Sequence, residues 1–118
     1  MLQKSYNKPY HKTNNDMKTK DYSEEHHRVA NILKLFSHPA RIQLLEILLT
    51  RGYIKSDDMM NGFPIAFTSV SQHLKELREN GLVYKKYFDK GIGYNFNIEK
   101  FNSMKNEVFV FFNKNKNK

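Results

Sequence analysis

The sequence contains no cysteine and no tryptophan, and only three prolines and five glycines among its 118 residues. Without cysteine the chain cannot form a disulfide bond, a thiolate zinc site or a thiol redox switch. No apolar run is long enough to cross a bilayer, and the first ten residues, MLQKSYNKPY, contain no apolar signal-peptide core. We therefore expect a cytoplasmic protein that does not associate with membranes.

Positive charge is what the sequence has in excess. Lysine and arginine outnumber aspartate and glutamate by 20 to 12, which gives a formal net charge of +8 and a pI near 9.6. This charge favours a polyanionic partner, of which double-stranded DNA is the simplest. Part of the excess lies in the terminal segments, so the total charge alone does not identify the partner.

A length of 118 residues, 39% of them hydrophobic, is enough for one domain with a small core. Residues 1–21 are polar and basic, and we expect a flexible arm because such a segment buries too little surface to offset its ordering entropy. The folded domain is expected over residues 22–113, and residues 114–118 are expected to be a disordered tail.

The chain is organised around residues 66–83, AFTSVSQHLKELRENGLV. At about 100° per residue, Val70, Leu74 and Leu77 fall on one side of a helix, and Gly81 is placed to end it in a left-handed conformation. The other side carries hydroxyl, amide and cationic groups that suit base edges and phosphates. The candidate DNA-binding residues of this helix are Thr68, Ser69, Ser71, Gln72, Lys75 and Arg78. An ordinary amphipathic helix with a solvated face has the same pattern.

Two helices are predicted upstream of this stretch. Ser23 is a suitable N-cap for the first, which should end near Ser37. Pro39 suits the first turn of the second, because its missing N–H would be unpaired there anyway, and Arg51-Gly52 should end that helix. The side chains of the second helix that we expect to be buried are Ile42, Leu45, Leu48 and Leu49.

A third, short helix is predicted to start at Ser56, interpreted as its N-cap, and to continue through Met60. The sequence NGFP then breaks the chain before the long helix. A short helix, a tight turn and a longer helix form the helix-turn-helix arrangement.

Downstream of Gly81 the pattern changes from helical to β-type. Two runs rich in Tyr and Phe flank the sequence DKGIG, which predicts a β-hairpin with residues 89–93 in its loop. Lys85, Lys86 and Lys90 give this hairpin a charge that suits a DNA backbone. An exposed basic hairpin without a ligand is the alternative.

A closing helix is predicted from about Glu99. Its apolar side chains cover too wide an arc for the surface of so small a domain, and a second copy of the same helix would cover them. We therefore predict a homodimer held by the first and last helices. The predicted interface residues are Val29, Leu33, Phe101, Met104, Val108, Phe111 and Phe112.

Two motifs in this chain resemble those of a known family. SVSQHLKELRENGLV is similar to the recognition-helix signature of the ArsR/SmtB family of winged helix-turn-helix repressors, Ser-x-His-Leu-x-x-Leu-x-x-x-Gly-Leu-Val. FSHPARIQLLEILL resembles the same family's upstream Leu-x-x-Pro-x-Arg-x-x-Ile-Leu-x-x-Leu stretch. With the basic hairpin, the likeness covers roughly residues 24–112. It implies a mainly α fold with a small β-hairpin, the winged helix-turn-helix, and a DNA-binding repressor.

The same resemblance bears on metal sites. Family members that sense soft metals carry Cys pairs in the short third helix, where this chain has Lys55 and Asp57, and a second family site needs His on the last helix, which has none. We therefore expect no metal and no cofactor at those positions. Acidic and His side chains around His26 and His27 are the remaining candidates, although adjacent His on a helix point about 100° apart and cannot easily share one ion.

No catalytic arrangement is found in the sequence. Ser71 and His73 lie on one helix at a spacing that turns them apart, so they cannot act as a nucleophile and its base, and we expect no enzyme activity. The leading hypothesis is a sequence-specific transcriptional regulator, a homodimeric repressor with an unknown, non-thiol signal such as a small-molecule effector. Two alternatives stay open: a winged-helix adaptor that binds another protein, and a metal-responsive repressor that uses N-terminal His and Glu.

Overall fold

The computed structural model describes residues 21–116, which form five helices and a three-stranded antiparallel sheet. The elements in chain order are α1 (Glu24–Leu35), α2 (Pro39–Arg51), β1 (Tyr53–Lys55), α3 (Ser56–Asn61), α4 (Phe67–Glu79), β2 (Val83–Phe88), β3 (Gly91–Phe96) and α5 (Ile98–Lys114). This confirms a mainly helical fold with a β-hairpin. None of the helices among the described residues is long and apolar enough to span a membrane.

The predicted arm lies almost wholly beyond these residues, whereas the predicted tail lies partly within them. The expected flexible arm falls outside the described range except for its last residue, Asp21. At the other end α5 continues through Lys114, which was expected to begin the tail.

The first two helices begin where the sequence predicted. The Ser23 side chain accepts a hydrogen bond from the backbone N–H of His26 (3.0 Å), and the His26 ring nitrogen Nδ1 accepts one from the Ser23 N–H (3.2 Å). These two reciprocal bonds form a complete capping box at the N-terminus of α1. Pro39 occupies the first turn of α2, and Gly52 ends that helix in the left-handed region at φ +85°. The start of α1 and both ends of α2 are therefore confirmed.

The core lies between the helices and one face of the sheet. Its fully buried side chains include Leu44, Leu48, Ile54, Val70, Leu74, Leu77 and Leu82. The predicted burial of Ile42 and Leu49 is wrong, because their side chains are 52% and 49% exposed. Helix α2 turns Leu44, Leu45 and Leu48 toward the core, which leaves these two on its outer side next to α5.

The third helix begins differently from the prediction. Lys55 holds the N-cap position, and its backbone N–H donates to the Asp58 carboxylate at 3.1 Å. Ser56 is the first helical residue, and its hydroxyl donates to the backbone oxygen of Ile92 at 2.9 Å. The assignment of Ser56 as the N-cap was therefore wrong, because this hydroxyl bonds to the hairpin instead.

The sheet contains a strand that the sequence did not reveal. Strand β1 pairs with β3, which is the central strand in the order β1-β3-β2. The expected loop at residues 89–93 shortens to Asp89–Lys90, because Gly91 pairs with Phe88 and Gly93 pairs with both Lys55 and Lys86. Glycine at 93 permits this pairing, since an added Cβ would overlap the Ile54 carbonyl oxygen and lie 2.8 Å from the Lys55 Cα.

Candidate nucleic-acid interface

Helix α4 separates an apolar face from a polar one. Val70, Leu74 and Leu77 are buried in the core, as the helical spacing predicted. The opposite side is exposed to solvent and carries the predicted Thr68, Gln72 and Lys75. Ser69 and Arg78 are also exposed but lie on the two flanks of this face, and Ser71 is half-buried at its edge. The structure thus presents hydroxyl, amide and cationic groups on the solvent side of α4.

The C-terminal end of α4 sets the direction of the strand that follows. Gly81 has φ +79° and its N–H donates to the Arg78 carbonyl at 3.0 Å, while the Leu82 N–H donates to the Leu77 carbonyl at 2.9 Å. These two bonds form a Schellman motif, and Leu82 is fully buried behind it. The predicted left-handed cap is confirmed, and it places β2 directly beside α4.

A hydrogen bond between Arg41 and His73 connects α2 to α4. The guanidinium Nε of Arg41 donates to Nδ1 of His73 at 3.0 Å, and its Nη1 donates to the Leu35 carbonyl at 3.2 Å. The ring of His38, whose Nδ1 accepts from the Ala40 N–H, lies 4.2 Å from the His73 ring between centroids. His73 therefore packs between the two helices and does not point away from the protein.

This environment changes the basicity of His73. Burial lowers the pKa of its imidazole below the usual 6.5, and the nearby His38 and Arg41 lower it further, against a smaller upward effect of Glu76. The lowered pKa favours the neutral imidazole, which is the form that can accept the hydrogen bond from Arg41. The sequence analysis missed this bridging contact of Arg41, because its partner is 32 residues away.

The three lysines of the wing (β2, β3 and the turn Asp89–Lys90) are all exposed, but they do not share one surface. Lys85 pairs with Tyr94, which packs on the core, so Lys85 lies on the sheet face that carries the helices. Lys86 pairs with Gly93 on the opposite, outer face. Lys90 lies in the turn between them.

The wing also exposes a tyrosine that the sequence analysis did not assign. Tyr87 is 75% exposed and pairs with the half-exposed Ile92, on the same sheet face as Lys85. An exposed aromatic ring beside a cation suits contact with deoxyribose or with a base in a groove. Alternation within the run YKKYF was the signal for this position, since it places Lys85 and Tyr87 on one face.

The predicted dimer residues differ in how much surface they offer. Leu33 and Phe112 are exposed, whereas Phe101, Met104, Val108 and Phe111 are half-buried and no residue of α5 is fully buried. Val29 is only 4% exposed, so it offers almost no surface to a second copy. Helices α1 and α5 are joined by the ion pairs Arg28–Glu107 and Glu25–Lys114.

The histidines considered as metal ligands have protein partners here. His26 closes the N-terminal cap of α1, and its ring meets the edge of Phe111 at 5.9 Å between centroids. Within residues 21–116, no group of three His, Asp or Glu side chains is close enough to hold a metal ion.

Comparisons with known proteins agree with this geometry. The family model for "Bacterial regulatory protein, arsR family" matches residues 38–85. The biofilm growth-associated repressor of Xylella fastidiosa is 30% identical over 96 residues, which span 81% of this chain and 83% of the relative.

Solved structures show the same fold. The transcriptional repressor BigR from Xylella fastidiosa superposes with a TM-score of 0.59 at 26% identity, over 86% of this chain and all of that one. An ArsR-like transcriptional regulator from a Rhodococcus species gives a TM-score of 0.59 at 18% identity, over 78% of this chain and 86% of that one, and this likeness concerns the fold alone.

Proposed function

The chain belongs to the arsR family of bacterial regulatory proteins, whose members are transcriptional regulators and not enzymes, and we propose that it is a homodimeric repressor that recognises a specific DNA sequence. The observation that carries the proposal is the exposed polar face of α4, with a basic wing immediately after it. In a dimer, the two copies of α4 would enter successive major grooves at half-sites about one helical turn apart.

The side chains of α4 divide into two chemical groups. Gln72 has both an amide donor and a carbonyl acceptor, which match the pair of groups that adenine presents in the major groove. Thr68, Ser69 and Ser71 can bond to bases or to phosphates, whereas Lys75 and Arg78 offer charge to the backbone. We therefore assign sequence recognition to Gln72 and backbone attachment to the cations.

Dimerisation is supported by the apolar surface that a single chain leaves exposed. Leu33, Phe109, Val110 and Phe112 are exposed on α1 and α5. A second apolar surface lies beside the same closing helix, and it is formed by Ile42 and Leu49 of α2 together with Phe36 and Phe101. Contiguous apolar area of this kind marks an interaction site, and a symmetric pair of closing helices would cover it.

The signal that releases such a repressor cannot be a thiol reaction, because the chain has no cysteine. A small-molecule effector remains the simplest proposal.

The test is fluorescence anisotropy on a site selected from random DNA and on a scrambled duplex, across a salt series. Gln72→Ala should weaken binding to the selected site by about 1–3 kcal/mol and leave scrambled binding unchanged, because alanine cannot form hydrogen bonds with a base edge. The matched control Lys75→Ala should reduce the affinity for both duplexes alike. It should also reduce the slope of log affinity against log salt concentration by about one, because one phosphate is no longer neutralised.

The outcomes separate the proposal from its rivals. Equal decreases in affinity for Gln72→Ala on both duplexes would show that this residue does not recognise sequence. No change in either variant would exclude DNA binding by this face and favour the protein–protein adaptor.

A further inference from the structure

Apart from Lys86, which belongs to the basic wing, the side chains on the outer face of the sheet have no part in the proposed function. In the antiparallel register, Tyr53 and Tyr84 pair with Asn95, and Lys55 and Lys86 pair with Gly93, so all of these lie on one face. The buried Ile54, Val83 and Phe96 lie on the other face, in the core. The first set therefore points away from the domain.

Aromatic rings at the centre of this face hold its cations in place. The rings of Tyr53 and Phe88 lie 5.5 Å apart between centroids, and they meet over Gly93, where no side chain intervenes. The ammonium groups of Lys55 and Lys86 lie 5.2 Å and 5.7 Å from the Phe88 centroid. The Arg51 guanidinium lies 4.8 Å from the Tyr53 centroid. We call this group the outer platform; it comprises Arg51, Tyr53, Lys55, Tyr84, Lys86 and Phe88.

The charge of the outer platform is only partly compensated. Asp58 pairs with Arg51 at 3.0 Å and interacts with Lys55 at longer range, but neither Lys55 nor Lys86 forms a direct ion pair with a carboxylate in residues 21–116. Two ammonium groups held beside the same ring repel each other, and an anion placed between them would relieve that repulsion. Cation–π contacts also reduce the freedom of both side chains before any ligand binds.

The position of the platform identifies the anion. Lys85 faces the side of the wing where α4 lies, and Lys86 faces the other side of the same strand. A wing that straddles a DNA backbone therefore presents Lys85 to the duplex contacted by α4 and Lys86 to the duplex beyond it. We propose that the outer platform binds phosphates of the DNA that flanks the recognised site. This inference rests on the proposed function and extends it to a longer DNA footprint.

The experiment compares two duplexes that carry the same selected site. The short duplex ends at the outer edges of the two half-sites, and the long one extends about ten base pairs, roughly one helical turn, further at each end. The full chain should bind the long duplex more tightly and with a steeper salt dependence. Lys86→Gln keeps most of the side-chain stem and removes the charge. At about 0.1 M salt, its affinity for the long duplex should decrease roughly five- to tenfold for each phosphate that is no longer neutralised. Its affinity for the short duplex should barely change.

Lys85→Gln is the matched control, because it removes the same charge from the neighbouring residue on the other face. It should weaken both duplexes equally. Lys55→Gln should behave like Lys86→Gln, and thermal melting of each variant verifies that the fold is retained, since Lys55 also precedes α3.

Three results would overturn the proposal. The first is equal affinity of the wild-type protein for the long and the short duplex. The second is an equal loss of affinity for both duplexes in Lys86→Gln, and the third is no change in either affinity in Lys86→Gln. The last result would make an acidic protein surface the better partner for the platform. By contrast, a wild-type protein that shows no preference for the selected site on either duplex would contradict the proposed function itself.

Discussion

At the scale of single residues, the hydrogen bond between Arg41 and His73 links α2 to α4, the helix that carries the candidate DNA-binding residues. The bond requires a lone pair on Nδ1 of His73, because the Arg41 guanidinium can only donate. A proton on this nitrogen would remove the acceptor and place two positive groups face to face. Burial, and after it the nearby His38 and Arg41, lowers the pKa of His73, and the need for an unprotonated Nδ1 makes the contact sensitive to pH.

The stability of the protein should therefore fall in acid through this residue. His73 has a lower pKa when folded than the usual 6.5, so the unfolded chain takes up its proton first as the pH decreases. The contribution is fully present above pH 6.5 and is lost as the pH falls from there through the folded pKa. Thermal melting between pH 7.5 and 5 should show a smaller decrease for His73→Asn, whose carbonyl can still accept from Arg41. Identical decreases in the two proteins would contradict this role.

At the scale of elements, the central strand β3 determines how the wing is attached to the domain. It pairs with β1 on one side and β2 on the other, and Gly93 lies where the β1 backbone comes closest. The same glycine leaves room on the outer face for the rings of Tyr53 and Phe88. Strand pairing and the outer platform thus depend on one missing side chain.

Gly93→Ala should separate β1 from β3. The new Cβ meets backbone atoms of Ile54 and Lys55, which cannot rotate away as a flexible side chain would. We expect a destabilisation of about 1–3 kcal/mol, the usual range for overpacking. Urea unfolding measures this change, and the salt slope on long duplexes should decrease as well because the platform is displaced. An unchanged urea midpoint would show that β1 moves aside at no cost.

At the scale of the whole molecule, the closing helix leaves apolar side chains of a single chain exposed. Helix α5 runs from Ile98 to Lys114 without one fully buried residue, although it carries four phenylalanines and two valines among residues 101–112. Its contacts with α1 include ion pairs between exposed or half-buried side chains, which contribute little to stability. This exposed apolar surface is the reason for the proposed dimer.

Val108→Asp should shift the protein from dimer toward monomer or aggregate, because a carboxylate in an apolar interface would be buried without a partner. Sedimentation at micromolar concentration measures the change. Asn106→Asp is the control: it adds the same charge two residues earlier, on the opposite side of the helix, and should leave the dimer intact. A wild-type protein that sediments only as a monomer would refute the dimer.

Local sequence determined the elements on which the site is built. Ser23 starts α1 because its side chain accepts a hydrogen bond from a backbone N–H that the first turn leaves unpaired. Pro39 starts α2 because it lacks the N–H that would be unpaired there. Gly81 ends α4 because glycine adopts a positive φ without strain. The polar face of α4, with Gln72 at its centre, follows from a period of 3.6 residues. All of these features depend on neighbours within about one turn, so the sequence was sufficient to predict them.

Tertiary structure decided whatever depends on residues far apart in the chain. Strand β1 is only three residues long and exists because β3, some forty residues later, supplies its partner. Alternation along β2 puts Lys85 and Lys86 on opposite faces, but only the packing of Tyr94 against the core decides that Lys85 lies on the face that carries the helices. Arg41 finds His73 only after α2 and α4 have packed. Such contacts are stabilised by pairing and packing between segments that are distant in the sequence. No local sequence pattern predicts which of these segments will come into contact.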